Sequence, residues 1–177
     1  IGLEHSADII QEMDADDAVD LLEEMDDDKR KQLIDLMDKE YQDDIRLISS
    51  YKDDQIGSKM TTNYVEIRRN LTVKQAMRSL IAQAEENDNI STIYVCDDDD
   101  TYYGAIALKD LIIARDYVDL DSLISQSFPY VRASEEIDEC IERLKDYAED
   151  SIPVLDDDDK LIGVITSQEI IEVVDDE

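Results

Sequence analysis

The apolar positions of this chain follow two different rhythms. As far as Tyr51 they recur at helical spacing in short blocks: Ala15, Ala18, Leu22 and Met25, then Leu33, Ile34 and Met37, then Tyr41, Ile45 and Ile48. Met13, Met25 and Met37 stand twelve residues apart, and an aspartate follows each: Asp14, Asp26 and Asp38. A carboxylate at that point suits the free N–H groups and the dipole of a helix that begins there. The predicted unit is one short helix and a tight turn, stacked as a small solenoid and expected to be the last turns of a longer array.

Beyond about Met60 the pattern changes to strands, and a longer repeat appears. Ser91–Cys96 and Asp150–Leu155 are apolar runs, each followed by four aspartates and then by a second apolar run that contains Gly104 or Gly163. Ile93 and Ile152, Gly104 and Gly163, and Asp110 and Glu169 all stand 59 residues apart. Upstream, the helical faces Val73, Ala76, Leu80 and Ile137, Cys140, Leu144 match at a spacing of 64, so the first copy carries five extra residues within 84–89. Each copy reads as strand, helix, strand, tight acidic turn, strand, helix. Units this small are expected to bury their apolar faces against each other. The predicted fold class is α plus α/β: a short-helix superhelical array over residues 1–52, then a tandem βαββα pair over 53–120 and 121–177.

Charge narrows the function classes. Of 177 residues 48 are Asp or Glu and 17 are Lys or Arg, a formal net charge of -31. Self-repulsion on that scale opposes a compact fold unless something compensates, and cations are the obvious candidate. Hydrophobic content of 42% suffices for packed cores. A nucleic-acid partner is excluded for want of a basic footprint, and docking on anionic lipid is disfavoured for the same reason. Tryptophan is absent and His5 is the single histidine, which argues against aromatic readout, a zinc site and a histidine-based triad. Cys96 and Cys140 lie in apolar surroundings and read as small buried hydrophobes in a reducing compartment. No segment approaches the roughly 18 apolar residues of a membrane span. No nucleophile–base pair or phosphate loop is present, so an enzyme is not expected. The aspartate runs fail as EF-hand loops, because Tyr102 and Leu161 stand at the sixth position and Leu108 and Ser167 at the twelfth. They read as polar hairpin turns.

Two groups of motifs carry a family resemblance. Ile152-Pro153-Val154-Leu155-Asp156 and the segment Gly163–Glu169 resemble CBS domains, and residues 60–176 are similar to a tandem CBS pair. Asp16-Asp17-Ala18-Val19-Asp20-Leu21-Leu22 resembles the acidic helices of MgtE-type magnesium transporters. The junction Tyr51 to Thr61 resembles the segment that leads into that family's first CBS repeat, with Ile56 in place of the usual alanine. The resemblance implies a cytoplasmic N domain and CBS pair, homodimeric through the CBS domains and joined to a transmembrane pore domain of the same full-length chain in the plasma membrane. It further implies Mg²⁺ sites between acidic modules that close the pore when the ion is plentiful.

Several residues become candidates. Asp16 and Asp20 are four apart and share a helix face with Asp17 beside them; a bound cation would relieve their repulsion, and a solvated acidic face is the alternative. Glu136, Asp138, Glu169, Glu172, Asp175, Asp176 and Glu177 match acidic positions that the resemblance assigns to magnesium sites between modules and subunits. Glu136 has a second explanation, since a carboxylate favours a helix N-terminus. Ala148 stands where related sequences carry another acid. The resemblance also implies adenine-nucleotide binding, ATP included, through a hydroxyl residue and an Asp three residues on. Here that signature is split: Asp110 follows Ala107, and Thr166 precedes Glu169, with Lys109 placed to reach phosphates. Three readings stay open: a magnesium-sensing regulatory region, an adenine-nucleotide sensor regulating another protein, and a halophilic protein whose acid excess is solvation. The helical array before the CBS pair favours the first.

Overall fold

The computed structural model describes residues 2–175. Four helices open it: α1 (Leu3–Ile10), α2 (Ala15–Glu23), α3 (Asp27–Asp35) and α4 (Lys39–Ser49). Asp14, Asp26 and Asp38 occupy the positions immediately before α2, α3 and α4, as the twelve-residue period requires. Only Asp26 caps with its side chain, accepting from Lys29 N at 2.8 Å; Asp14 and Asp38 do not. Tyr41 ties the array together, its hydroxyl donating to the carbonyls of Ile10 and Met13.

The repeat then appears twice. β1 (Glu66–Arg68), α5 (Val73–Ala84), β2 (Thr92–Cys96), β3 (Tyr102–Ala107) and α6 (Leu108–Ile113) form the first copy. β4 (Val131–Arg132), α7 (Ile137–Leu144), β5 (Ser151–Leu155), β6 (Leu161–Thr166) and α8 (Ser167–Asp175) form the second. Each sheet has three strands, the first parallel to the second and the second antiparallel to the third. Four of the five extra residues lengthen a helix, since α5 has 12 residues and α7 has 8. The expectation had put them all in the connection.

The copies are interleaved. Thr61, before β1, pairs with Val164 on β6, and Ser125, before β4, pairs with Ala105 on β3. Each bridge is doubly hydrogen-bonded at 2.8–3.0 Å. The crossing segments run so close to β3 and β6 that a Cβ at Gly104 would lie 2.6 Å from the Ser125 carbonyl oxygen, and one at Gly163 would lie 2.7 Å from the Met60 sulfur. That contact explains a glycine at the same place in both copies. Tyr94, Cys96, Ala105, Leu155, Leu161 and Val164 fill the seam between the sheets. The array's core (Ala18, Leu22, Leu33, Ile45, Ile48) continues through Ile56 and Met60 into the second copy's Val154, Cys140 and Ile165. The helical array is therefore packed onto the second copy of the repeat, not merely tethered to it. Both cysteines are buried free thiols, and burial pushes Cys140 up to about 11. No helix among the described residues is long and apolar enough to cross a membrane.

Candidate metal centre

The interleaved packing brings the front of α2 to α8, across most of the length of the chain. Asp16 belongs to the buried face of α2, with Ala15, Ala18, Val19 and Leu22, and is 7% exposed. The helical periodicity that buries those apolar residues buries the carboxylate too. Its Oδ1 has no hydrogen-bond partner among the described residues. Burial, followed by the charges of Asp17, Glu169 and Asp14, pushes its carboxyl up to about 7. Glu169, in the first turn of α8, is raised to about 7 by burial and by Glu172, Asp17 and Asp20, against a smaller opposing effect of Lys59. Asp17 is raised by partial burial and by Asp14, Asp20 and Glu172. Five of the sequence candidates thus lie within range of one another's charge, Asp16, Asp17 and Asp20 on α2 and Glu169 and Glu172 on α8, although Glu169 and Glu172 are outside the group whose oxygens lie within 4.8 Å of one another.

A buried carboxylate in water-poor surroundings needs a proton, a base or a cation. Among the described residues no Lys or Arg forms an ion pair with Asp14, Asp16 or Asp17. The donor set is all oxygen, which suits a hard divalent ion such as Mg²⁺ that keeps several waters and takes one or two carboxylates. The orphaned Asp16 oxygen is the observation that fits the residues to such an ion.

The other candidates lie elsewhere. Glu136 precedes α7 and Asp138 is in its first turn, both exposed, beside the junction where Ile137 N donates to the Asp54 carbonyl at 2.8 Å. Asp175 is exposed at the end of α8, and Asp176 and Glu177 lie outside the described residues. Lys109 and Asp110 are exposed on α6, whereas Thr166 ends β6 and lines a polar cleft of about 400 Å³. Asp14, Asp88 and Asp150 share that cleft with Thr166, Asn63 and Ser151, and no Lys or Arg lines it. The split signature therefore falls on two separate surfaces. The residue missed in the sequence is Asp14, whose period had assigned it to capping; one of its carboxylate oxygens lies within 4.8 Å of one from Asp16 and one from Asp17.

Comparison with known proteins places this geometry. The MgtE intracellular N domain family matches residues 1–54, and the CBS domain family matches 54–117 and 120–176. The magnesium transporter MgtE of Enterococcus faecalis is 34% identical over 134 residues, which are 76% of this chain and 30% of that protein. The MgtE of Thermus thermophilus is 28% identical over 132 residues, 75% of this chain and 29% of its own length. The chain thus spans less than a third of these relatives. The crystal structure of the soluble part of a magnesium transporter superposes with a TM-score of 0.92 at 32% identity, covering 99% of this chain and 69% of that one. The cytosolic domain of the Mg²⁺ channel MgtE in complex with ATP superposes with a TM-score of 0.86 at 26% identity, covering 98% of this chain and 76% of that one. The two family models follow one another along this chain, and it belongs to the MgtE family as an N-domain segment joined to a CBS pair.

Proposed function

We propose that this chain is the cytosolic Mg²⁺-sensing region of a magnesium transporter, whose pore lies in a membrane domain of the same full-length protein. The buried Asp16, whose Oδ1 has no hydrogen-bond partner among the described residues and whose carboxyl feels the charge of Glu169 on the second CBS copy, carries this reading. Without the ion, like charges on α2 and α8 push the two modules apart. With it, the carboxylates of both helices share one charge partner, and the closed arrangement gains population in proportion to its greater affinity for Mg²⁺. Glu136, Asp138 and Asp175, all exposed, are further ligand candidates at surfaces where another subunit or the pore domain docks, and Asp176 and Glu177 remain candidates from the sequence. The exposed Ile112, Ile113 and Tyr117 on and beyond α6, with Ile81 on α5, support homodimerisation through the CBS pair. Millimolar Mg²⁺ is expected to raise the melting temperature and compact the particle in scattering well beyond Na⁺ at equal ionic strength. Equal responses to the two salts would reject the sensor and leave general charge screening.

A second role is favoured by the ATP-bound relative. ATP would bind on the α6 side, at Lys109 and Asp110, because the Thr166 cleft presents three carboxylates to a triphosphate. In calorimetry Lys109→Ala and Asp110→Ala are expected to weaken ATP binding and Thr166→Ala to leave it unchanged. The opposite ranking would move the nucleotide to the Thr166 cleft.

A further inference from the structure

Asp14 stands where the twelve-residue period demands a helix cap, yet its side chain caps nothing. Its Oδ1 instead accepts from Nδ2 of Asn63 at 3.0 Å. Asn63 is itself held by the connection after α5: its Oδ1 accepts from Asp88 N at 2.7 Å, and its carbonyl accepts from Asn89 Nδ2 at 2.7 Å. Asp14 is thus turned away from its own helix and fixed against the first CBS copy. The oxygens that Asp14, Asp16 and Asp17 offer lie within 4.8 Å of one another, and the buried, unpartnered Oδ1 belongs to the middle one.

We infer that Asp14 is an additional carboxylate of the ion site and that Asn63 is its positioning residue, linking ion occupancy to the 85–89 connection of the first CBS copy. The inference rests on the ion-sensing reading above and extends it from two modules to three. The choice of Asn63 is chemically apt. A neutral amide donor orients one carboxylate oxygen without supplying the positive charge that a Lys or Arg would set in competition with the ion. It also leaves the charge of all three carboxylates available, and ligand charge count is what tunes affinity for a hard divalent ion. When the ion is absent, repulsion among the three carboxylates strains the Asp14–Asn63 bond. When it binds, Asp14 is drawn toward Asp16 and Asp17, and Asn63 with Asp88 and Asn89 must adjust.

The test is Mg²⁺ calorimetry on the whole chain with four variants. Asp14→Ser removes the carboxylate while keeping a good helix-starting side chain. Asn63→Ala removes the positioning amide, Asp16→Asn alters the centre of the site, and Asp28→Asn lowers the net charge on α3, away from the site. Asp14→Ser and Asn63→Ala are each expected to weaken Mg²⁺ by about tenfold, and their combination by little more than Asp14→Ser alone. In wild type, Mg²⁺ is expected to slow amide exchange at Asn87–Asn89, and in Asn63→Ala it is not. If Asp14→Ser binds like Asp28→Asn while Asp16→Asn binds weakly, Asp14 lies outside the site and the inference falls. Additive losses for Asp14→Ser and Asn63→Ala would overturn the positioning role. If Asp16→Asn itself binds like Asp28→Asn, the ion-sensing reading of this interface fails, which is a different result from the loss of Asp14 alone.

Discussion

Aspartates crowd together both at the hairpin turns and between α2 and α8, and their surroundings differ. At the turns, Arg68 donates to the Asp97 carbonyl at 2.7 Å and to the Asp100 carboxylate at 2.5 Å. Arg132 does the same one repeat later, with the Asp156 carbonyl at 3.0 Å and the Asp159 carboxylate at 2.5 Å. The fourth aspartate of each run takes a left-handed conformation, with φ of 71° at Asp100 and 66° at Asp159, which Asp tolerates better than most residues. The two turns even touch, Tyr102 N donating to the Asp159 carbonyl at 2.9 Å. Four consecutive acids there are structurally answered. Between α2 and α8 the acids come from two separate helices, and among the described residues no base pairs with Asp16. The two regions are thus told apart by compensation and not by the density of negative charge, and the lack of compensation at buried Asp16 is what favours the proposed ion site.

The largest expected effect breaks the compensated side. Replacing Arg68 and Arg132 together by alanine leaves two charged turns in contact without their donors, and is expected to lower stability by roughly 2–4 kcal/mol in urea denaturation. Mg²⁺ is not expected to restore it, because the turns were built around guanidinium geometry. Wild-type stability in the double variant would show the turns to be plain solvated acid and would remove the contrast. Removing charge from the uncompensated side has the opposite sign. Asp16→Asn is expected to raise ion-free stability at about pH 8 by roughly 1–2 kcal/mol while abolishing most of the Mg²⁺-induced rise in melting temperature. A variant that is less stable without the ion, yet shifts normally with it, would place the ion elsewhere.

The two sides also differed in how far they could be read from residues alone. The period of twelve located the starts of α2, α3 and α4, because a regular array repeats one packing solution. The repeat spacing located the strands and both acidic turns. The partnership of Asp16 with Glu169 needed the family resemblance: nothing in local spacing tells which acid of α2 meets which acid of α8 when the chain between them is interleaved. Asp14 was read wrongly for a physical reason. Its position satisfies the preference for a capping residue, and helix geometry does begin there, but Asn63 competes for the side chain and wins. That competition depends on Asp88 and Asn89 in the connection after α5, where the second repeat has Tyr147 and Ala148 at the corresponding places before its strand. The arginine clasps leave a trace in the sequence, since Arg68 and Arg132 stand one repeat apart, but spacing alone does not say that a guanidinium reaches a turn some thirty residues on.

The smallest expected effect sharpens the contrast through pH. Asp16 and Glu169 are raised to about 7 in the folded protein from ordinary values of 3.8 and 4.5, chiefly by burial and then by neighbouring acids. Between those values the folded chain holds protons that the unfolded chain has released, so these groups add stability that is complete at acid pH and lost as pH rises through about 7. The groups facing them are Asp14, Asp17, Asp20 and Glu172, all acidic, with Lys59 the one base acting on Glu169. Ion-free stability is therefore expected to fall across that window, and Mg²⁺ affinity to rise across it, because proton and ion compete for the same oxygens. The measurement is melting in a chelator from about pH 5 to about pH 8.5, in a His5→Gln background that removes the single histidine. Asp16→Asn with Glu169→Gln should flatten the slope, whereas Asp100→Asn at the compensated turn should leave it intact. A slope that survives the loss of Asp16 and Glu169 would locate the titration outside the α2–α8 interface and dissolve the difference between the two acidic regions.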